Sequence, residues 1–105
     1  GAGRNGIFVW NSSFADIIGN KILAGSPSVL GFGGVGAGDD GIDVWNTFGA
    51  DIKLNKISGV LDDGIQVINS WFTDIYLNLV NLTGDDGVFL WNADYTDVGL
   101  NAIGL

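Results

Sequence analysis

Paired carboxylates are the residues of this chain best placed to do chemistry. Asp39/Asp40, Asp62/Asp63 and Asp85/Asp86 recur, each pair beside a glycine. Carboxylates together with turn carbonyls supply the oxygen ligands that Ca²⁺ takes, and Asp40, Asp63 and Asp86 are the candidate ligands. The competing reading is that these side chains cap turn N–H groups and solvate an edge. Like charges stacked in register repel unless amides or a cation compensate them. Asp40 or Asp63 paired with Asp43 could also serve a two-carboxylate hydrolysis. Other catalytic chemistry is thinly supplied. The chain has no His, no Cys and a single arginine, Arg4. That removes the usual general base, the thiol nucleophile and the thiolate metal site. The expectation is a non-catalytic protein that requires no cofactor, with calcium as the one open option.

Aromatic residues form the second candidate site. Phe8 and Trp10, Asp43 and Trp45, Gln66 and Ile68, and Phe89 and Trp91 alternate with aliphatic residues. On a strand they share one face. A large exposed apolar patch marks an interface. Phe8, Trp10, Asp43, Trp45, Phe89 and Trp91 could stack on sugar rings, pack against a second copy, or meet the rest of a longer chain. The remaining alternative is that these side chains face inward.

Both sets are placed by a repeat. Gly6, Gly41, Gly64 and Gly87 each open a unit. Asn11, Asn46, Asn69 and Asn92 follow at one fixed offset, Asp16, Asp51, Asp74 and Asp97 at the next, and Asn20, Asn55, Asn78 and Asn101 after those. The last three copies are 23 residues apart and the first gap is 35. Self-similarity at such a period signals a stacked array whose units cannot bury their apolar faces alone. Rungs fall near 4–23, 39–61, 62–84 and 85–105. The extra residues, 24–38 (AGSPSVLGFGGVGAG), predict a surface loop inserted at one corner, apolar enough to be a binding or assembly loop instead.

Within a rung the pattern is that of short strands. Ile42 and Val44 alternate with Asp43 and Trp45, Ile52 and Leu54 flank Lys53, and a third inward position recurs at Ile22, Ile57, Val80 and Ile103. Stacked equivalent strands make parallel sheets with rungs about 4.8 Å apart, and parallel crossovers are right-handed. The predicted fold is all-β: a right-handed parallel β-helix (β-solenoid) of about four 23-residue rungs in a single segment, 1–105. Leucine-rich repeats place their Asn differently, and the calcium-binding nonapeptide array has a shorter period. Both Asn columns are expected as internal ladders at bends, where Asn tolerates the left-handed conformation. Replacing Asn69 by Leu should then cost about 1–3 kcal/mol. The Asp16 column is expected to cap turns. Phe14, Phe72 and Tyr95 share a corner position, with Phe48 one residue out of phase, and should pack as a ring column.

Composition bounds the partners. The formal charge is −8, from 12 acidic and 4 basic residues, which argues against nucleic acid and against an anionic membrane surface. No apolar run is long enough to span a bilayer. The chain opens Gly-Ala-Gly without Met, as a processed or excised piece would.

The unit GDDGIDVWNTFGADIKLNKISGV (38–60) resembles the repeat of pectin-lyase-like right-handed β-helices. It is most similar to the Asn- and Asp-rich, Gly-Asp-Asp-Gly-Ile type of large bacterial surface and secreted proteins. The resemblance spans nearly the whole chain except 24–38. It implies an extracellular or cell-surface bacterial setting and a structural, adhesive role. Self-association, end to end or face to face, or the remainder of a longer chain would be the partner. That class also includes pectate lyases and polygalacturonases, so a carbohydrate-binding or carbohydrate-active β-helix is the alternative. Gly38-Asp39-Asp40 and Gly84-Asp85-Asp86 resemble the polygalacturonase Gly-Asp-Asp segment, but its His and Arg/Lys motifs have no counterpart here. Pectate lyases resemble this chain in acidic calcium sites but use an arginine base, and Arg4 lies at the start.

Overall fold

A computed structural model of the chain describes residues 6–23 and 40–104. The inserted segment 24–38, Arg4 and Asn5 lie outside the described residues, as does Asp39. Every regular element described is a strand. The first rung carries β1 (Ile7–Trp10), β2 (Asp16–Ile18) and β3 (Lys21–Leu23). The second carries β4 (Ile42–Trp45), β5 (Asp51–Lys53) and β6 (Lys56–Ser58). The third carries β7 (Ile65–Trp71), β8 (Asp74–Tyr76) and β9 (Leu79–Asn81), and the fourth β10 (Val88–Asp94), β11 (Asp97–Gly99) and β12 (Ala102–Ile103).

Equivalent strands pair in parallel and in phase. They build three four-stranded sheets, ordered β1-β4-β7-β10, β2-β5-β8-β11 and β3-β6-β9-β12. Ile7 aligns with Ile42 and Ile42 with Ile65, across both the long and the short gap. An all-strand chain with three parallel sheets at a repeating interval is compatible with a β-helix-like solenoid.

The inward face explains why these segments are strands. Ile42, Val44, Ile52, Ile57, Ile65, Val67, Ile75 and Val80 are almost wholly buried. Their branched side chains fill the interior, where β-branched residues pack well on a pleated surface. Gly41 and Gly64 leave room for them: a Cβ at Gly64 would sit 2.3 Å from Val80 Cγ1 and 2.6 Å from the Gly87 carbonyl.

Left-handed residues turn the chain between sheets. Asn11, Asn46, Asn69 and Asn92 have φ of 50–56°, as expected for Asn at a bend. Leu54, Leu77 and Leu100 are the surprise. The alternation puts them on the same side as Ile52, yet they have φ of 52–58° and are 57, 51 and 78% exposed. Their strands end one residue earlier, so the corner throws each leucine outward and turns the following Asn inward.

Candidate functional site

The inward Asn column is the most fully bonded feature of the stack. Asn55 and Asn78 are 1% exposed. Asn78 Oδ1 accepts from the Asn55 backbone N–H (3.0 Å) and Asn55 Nδ2 (2.9 Å), while Asn78 Nδ2 donates to the Ile52 carbonyl (2.9 Å) and to Asn101 Oδ1 (3.0 Å). The same pattern joins Asn20 to Asn55. The other column differs from the expectation. Asn11, Asn46 and Asn92 are exposed and Asn69 half-buried. Asn92 Nδ2 donates to Asn69 Oδ1 at 2.8 Å, on the outside of the bend. A left-handed residue, just after β1 and β4 and inside β7 and β10, interrupts the alternation and points its side chain away from the interior. Position in the turn, not residue type, decides which Asn is internal.

The acidic column works in a related way. Asp63 N donates to Asp40 Oδ1 (2.9 Å) and Asp86 N to Asp63 Oδ1 (2.9 Å), so each carboxylate accepts from the backbone one rung on. Gln66 Nε2 bridges Asp40 Oδ2 (3.1 Å) and Asp43 Oδ1 (2.9 Å). Carboxylate oxygens of Asp40, Asp62 and Asp63 lie within 4.8 Å of one another, as do those of Asp63, Asp85 and Asp86. Desolvation by burial raises the Asp63 pKa above the usual carboxylate value. The Asp86 N–H opposes that shift, and the charges of Asp62, Asp86 and Asp85 add to it. Each group has the oxygen chemistry of a hard-cation site, but Asp40 and Asp63 already spend oxygens on backbone N–H groups.

Asp16, Asp51, Asp74 and Asp97 begin β2, β5, β8 and β11 in direct register. They are strand residues and not turn caps, because the corner closes before them. Burial raises the Asp74 pKa, followed by repulsion from Asp51 and Asp97 and a hydrogen bond with Asp51, while Lys53 pulls the other way.

The aromatic candidates divide. Phe8, Trp10 and Trp91 are 56, 60 and 64% exposed on the outer face of the first sheet, whereas Trp45 and Phe89 are half-buried. Asp43, placed with Trp45 by the alternation, is only 6% exposed. Its Oδ1 accepts from Trp45 Nε1 at 2.7 Å as well as from Gln66. That carboxylate orients an indole and is spent doing so, which leaves little of it for a ligand or for proton transfer. Gln66 was not legible as its partner, although its place one rung from Asp43 held the signal.

A ring column runs along the corner after the first sheet. Phe14–Phe48, Phe48–Phe72 and Phe72–Tyr95 have centroids 5.9, 5.2 and 4.8 Å apart. Gly49 occupies the second-rung place in that column, with φ of 78° and room for no Cβ beside Phe14. The Phe48 ring fills the gap from one residue away. A hydroxyl column was missed: Thr47 N donates to Ser70 Oγ (3.1 Å), and Thr47 Oγ1 and Ser70 Oγ donate back to Trp45 and Ile68 carbonyls. Its trace in the sequence is the Ser or Thr that follows each of the first three corner asparagines.

Comparison with known proteins returned no matching family, no matching curated protein and no matching solved structure.

Proposed function

We propose that this chain is a non-catalytic structural or adhesive β-solenoid module of a bacterial surface or secreted repeat protein, similar in type to the pectin-lyase-like right-handed β-helices. The observation that carries this reading is the use of its buried polar groups. Asn55, Asn78, Asp40 and Asp63 all bond to neighbouring rungs, so residues that could do chemistry serve to hold the stack together. Such a module transmits its order along its axis and is continued by a second copy or by further rungs of a longer chain. Calcium at the Asp63 clusters would add a cross-link between rungs. The test is solution mass by light scattering over a dilution series, with and without Ca²⁺. Concentration-dependent growth supports the module, and a Ca²⁺-induced rise in Tm supports the cation.

The alternative is a carbohydrate-binding β-helix, favoured by the exposed Phe8, Trp10 and Trp91 on one sheet. Titration of tryptophan fluorescence with acidic and neutral oligosaccharides separates the two. A saturable response lost in Trp91→Ala supports the alternative, and no response in any glycan removes it.

A further inference from the structure

The outer face of the first sheet is uneven along the stack. The first rung presents Phe8 and Trp10 there, and the fourth presents Phe89 and Trp91. Phe8, Trp10 and Trp91 are each more than half exposed. Between them lie Asp43 and Trp45, in register with Gln66 and Ile68. These four are buried or half-buried. The Trp45 indole is tied to the Asp43 carboxylate, and Gln66 bonds that carboxylate from the next rung. The face is thus a pair of aromatic ridges, three rungs or about 14 Å apart, with a better-buried floor between them. Aromatic side chains carry about 150–250 Å² each, so Phe8, Trp10 and Trp91 alone offer about a third to a half of the roughly 800 Å² that each partner buries in a standard interface.

Charge selects what this face meets. The molecule carries −8, so two identical copies approach most easily where carboxylates are absent or already bonded. Of the eight outward residues just named, Asp43 alone is acidic, and Trp45 and Gln66 hold it. The acidic groups gather at one margin instead, with Asp62, Asp85 and Asp86 just before β7 and β10. Asn11, Asn46, Asn69 and Asn92 edge the opposite margin, where the chain turns away from the sheet. A two-fold axis along the strands would set acid margin against acid margin. An axis along the stack sets each acid margin against the partner's asparagines. It also sets every rung against the same rung, so that Phe8 meets the partner's Trp10 and Phe89 meets the partner's Trp91. A contact that repeats rung by rung does not depend on where the stack begins or ends.

We infer that the outer face of the β1-β4-β7-β10 sheet is a self-interface, on which two copies pack side by side with their stacks parallel. The inference rests on the structural reading above and names a second copy as the occupant of the aromatic face. Burying the Phe and Trp rings supplies the driving force. Charge at the margins fixes orientation more than strength.

The experiment is light scattering of the intact chain across a dilution series, beside Trp10→Ala, Trp91→Ala and a control, Leu54→Asn. Leu54 is exposed at another corner with φ of 57°, a conformation that Asn tolerates. The expected result is a mass that rises to twice the 11.0 kDa of one chain, with a blue shift of tryptophan emission as the rings leave water. Each Trp variant removes two rings per dimer and should weaken dimerisation by about tenfold or more. Leu54→Asn should leave it unchanged. Circular dichroism confirms that each variant keeps its strands, and Phe8→Ala replaces a Trp variant that unfolds. Association that survives both Trp variants overturns the inference and leaves the structural module standing, since the contact then lies at the ends or on another face. Association that falls equally in Leu54→Asn overturns it as well. A monomer at every concentration overturns both readings, and saturable glycan binding by that monomer gives the face to the carbohydrate alternative.

Discussion

At the scale of single residues, environment separates side chains that look identical in the repeat. Asn78 is 1% exposed and serves neighbouring groups on both sides, whereas Asn69 sits outside a bend at φ 50°. Asn78→Leu leaves the Asn55 N–H without its partner and takes the amide donor away from the Ile52 carbonyl and Asn101 Oδ1. Urea denaturation should show a loss of about 1–3 kcal/mol. Asn69→Leu loses an exposed amide contact and keeps a left-handed residue, as Leu54 does, and should cost less. Thr73 carries the opposite defect, being fully buried with a hydroxyl that has no partner. Thr73→Val keeps the shape and removes the unpaired group. It should raise stability by about 1 kcal/mol, read as a shift in urea midpoint. Asp74 has a raised pKa, so the folded state binds its proton more tightly than the unfolded chain. Its unfavourable contribution is absent below the unfolded value of 3.8 and develops as pH rises through the higher folded value. Asp74→Asn should therefore stabilise the protein at pH 7 by about 0.2–1 kcal/mol. Thermal melts across pH should show that gain vanishing below 3.8.

At the scale of elements, the strands are short and hold through stacking. β2, β5 and β8 have three residues each, too few to be stable apart from their neighbours. The corners add their own adhesion through the ring column. Phe72 lies between two other rings, 5.2 Å from Phe48 and 4.8 Å from Tyr95. Each ring pair contributes about 0.5–1.5 kcal/mol. Phe72→Ala should lower Tm and leave the far-ultraviolet dichroism unchanged, because the ring lies outside the aliphatic interior. Much of this level was legible in the sequence. The positions of the strands follow from Ile42/Val44 and their equivalents, and the ring column from Phe14, Phe72 and Tyr95. The facing of Leu54, Leu77 and Leu100 was not. Alternation carries a residue to the correct side only while the strand continues, and the end of a three-residue strand leaves no mark of its own.

For the molecule as a whole, charge opposes association. Each chain carries −8, so two copies meeting at any face repel over a range set by the Debye length, about 10 Å at 0.1 M salt and about 3 Å at 1 M. Self-association should therefore tighten several-fold as NaCl rises through that range, measured by sedimentation or scattering. Association insensitive to salt would mean that the contact lies where the acidic groups are already neutralised.

The recurrence of Gly, Asn and Asp determined by itself that the chain is a repeat, that its strands stack in parallel and in phase, and which aliphatic residues fill the interior. These follow because periodicity and alternation are local, one-dimensional properties. Tertiary structure alone decided which Asn column is internal, that Asp43 is spent on Trp45 and Gln66, and that Phe48 replaces a ring missing at Gly49. Each of these depends on where a corner turns and on what lies one rung away, and both are set only when the rungs are stacked.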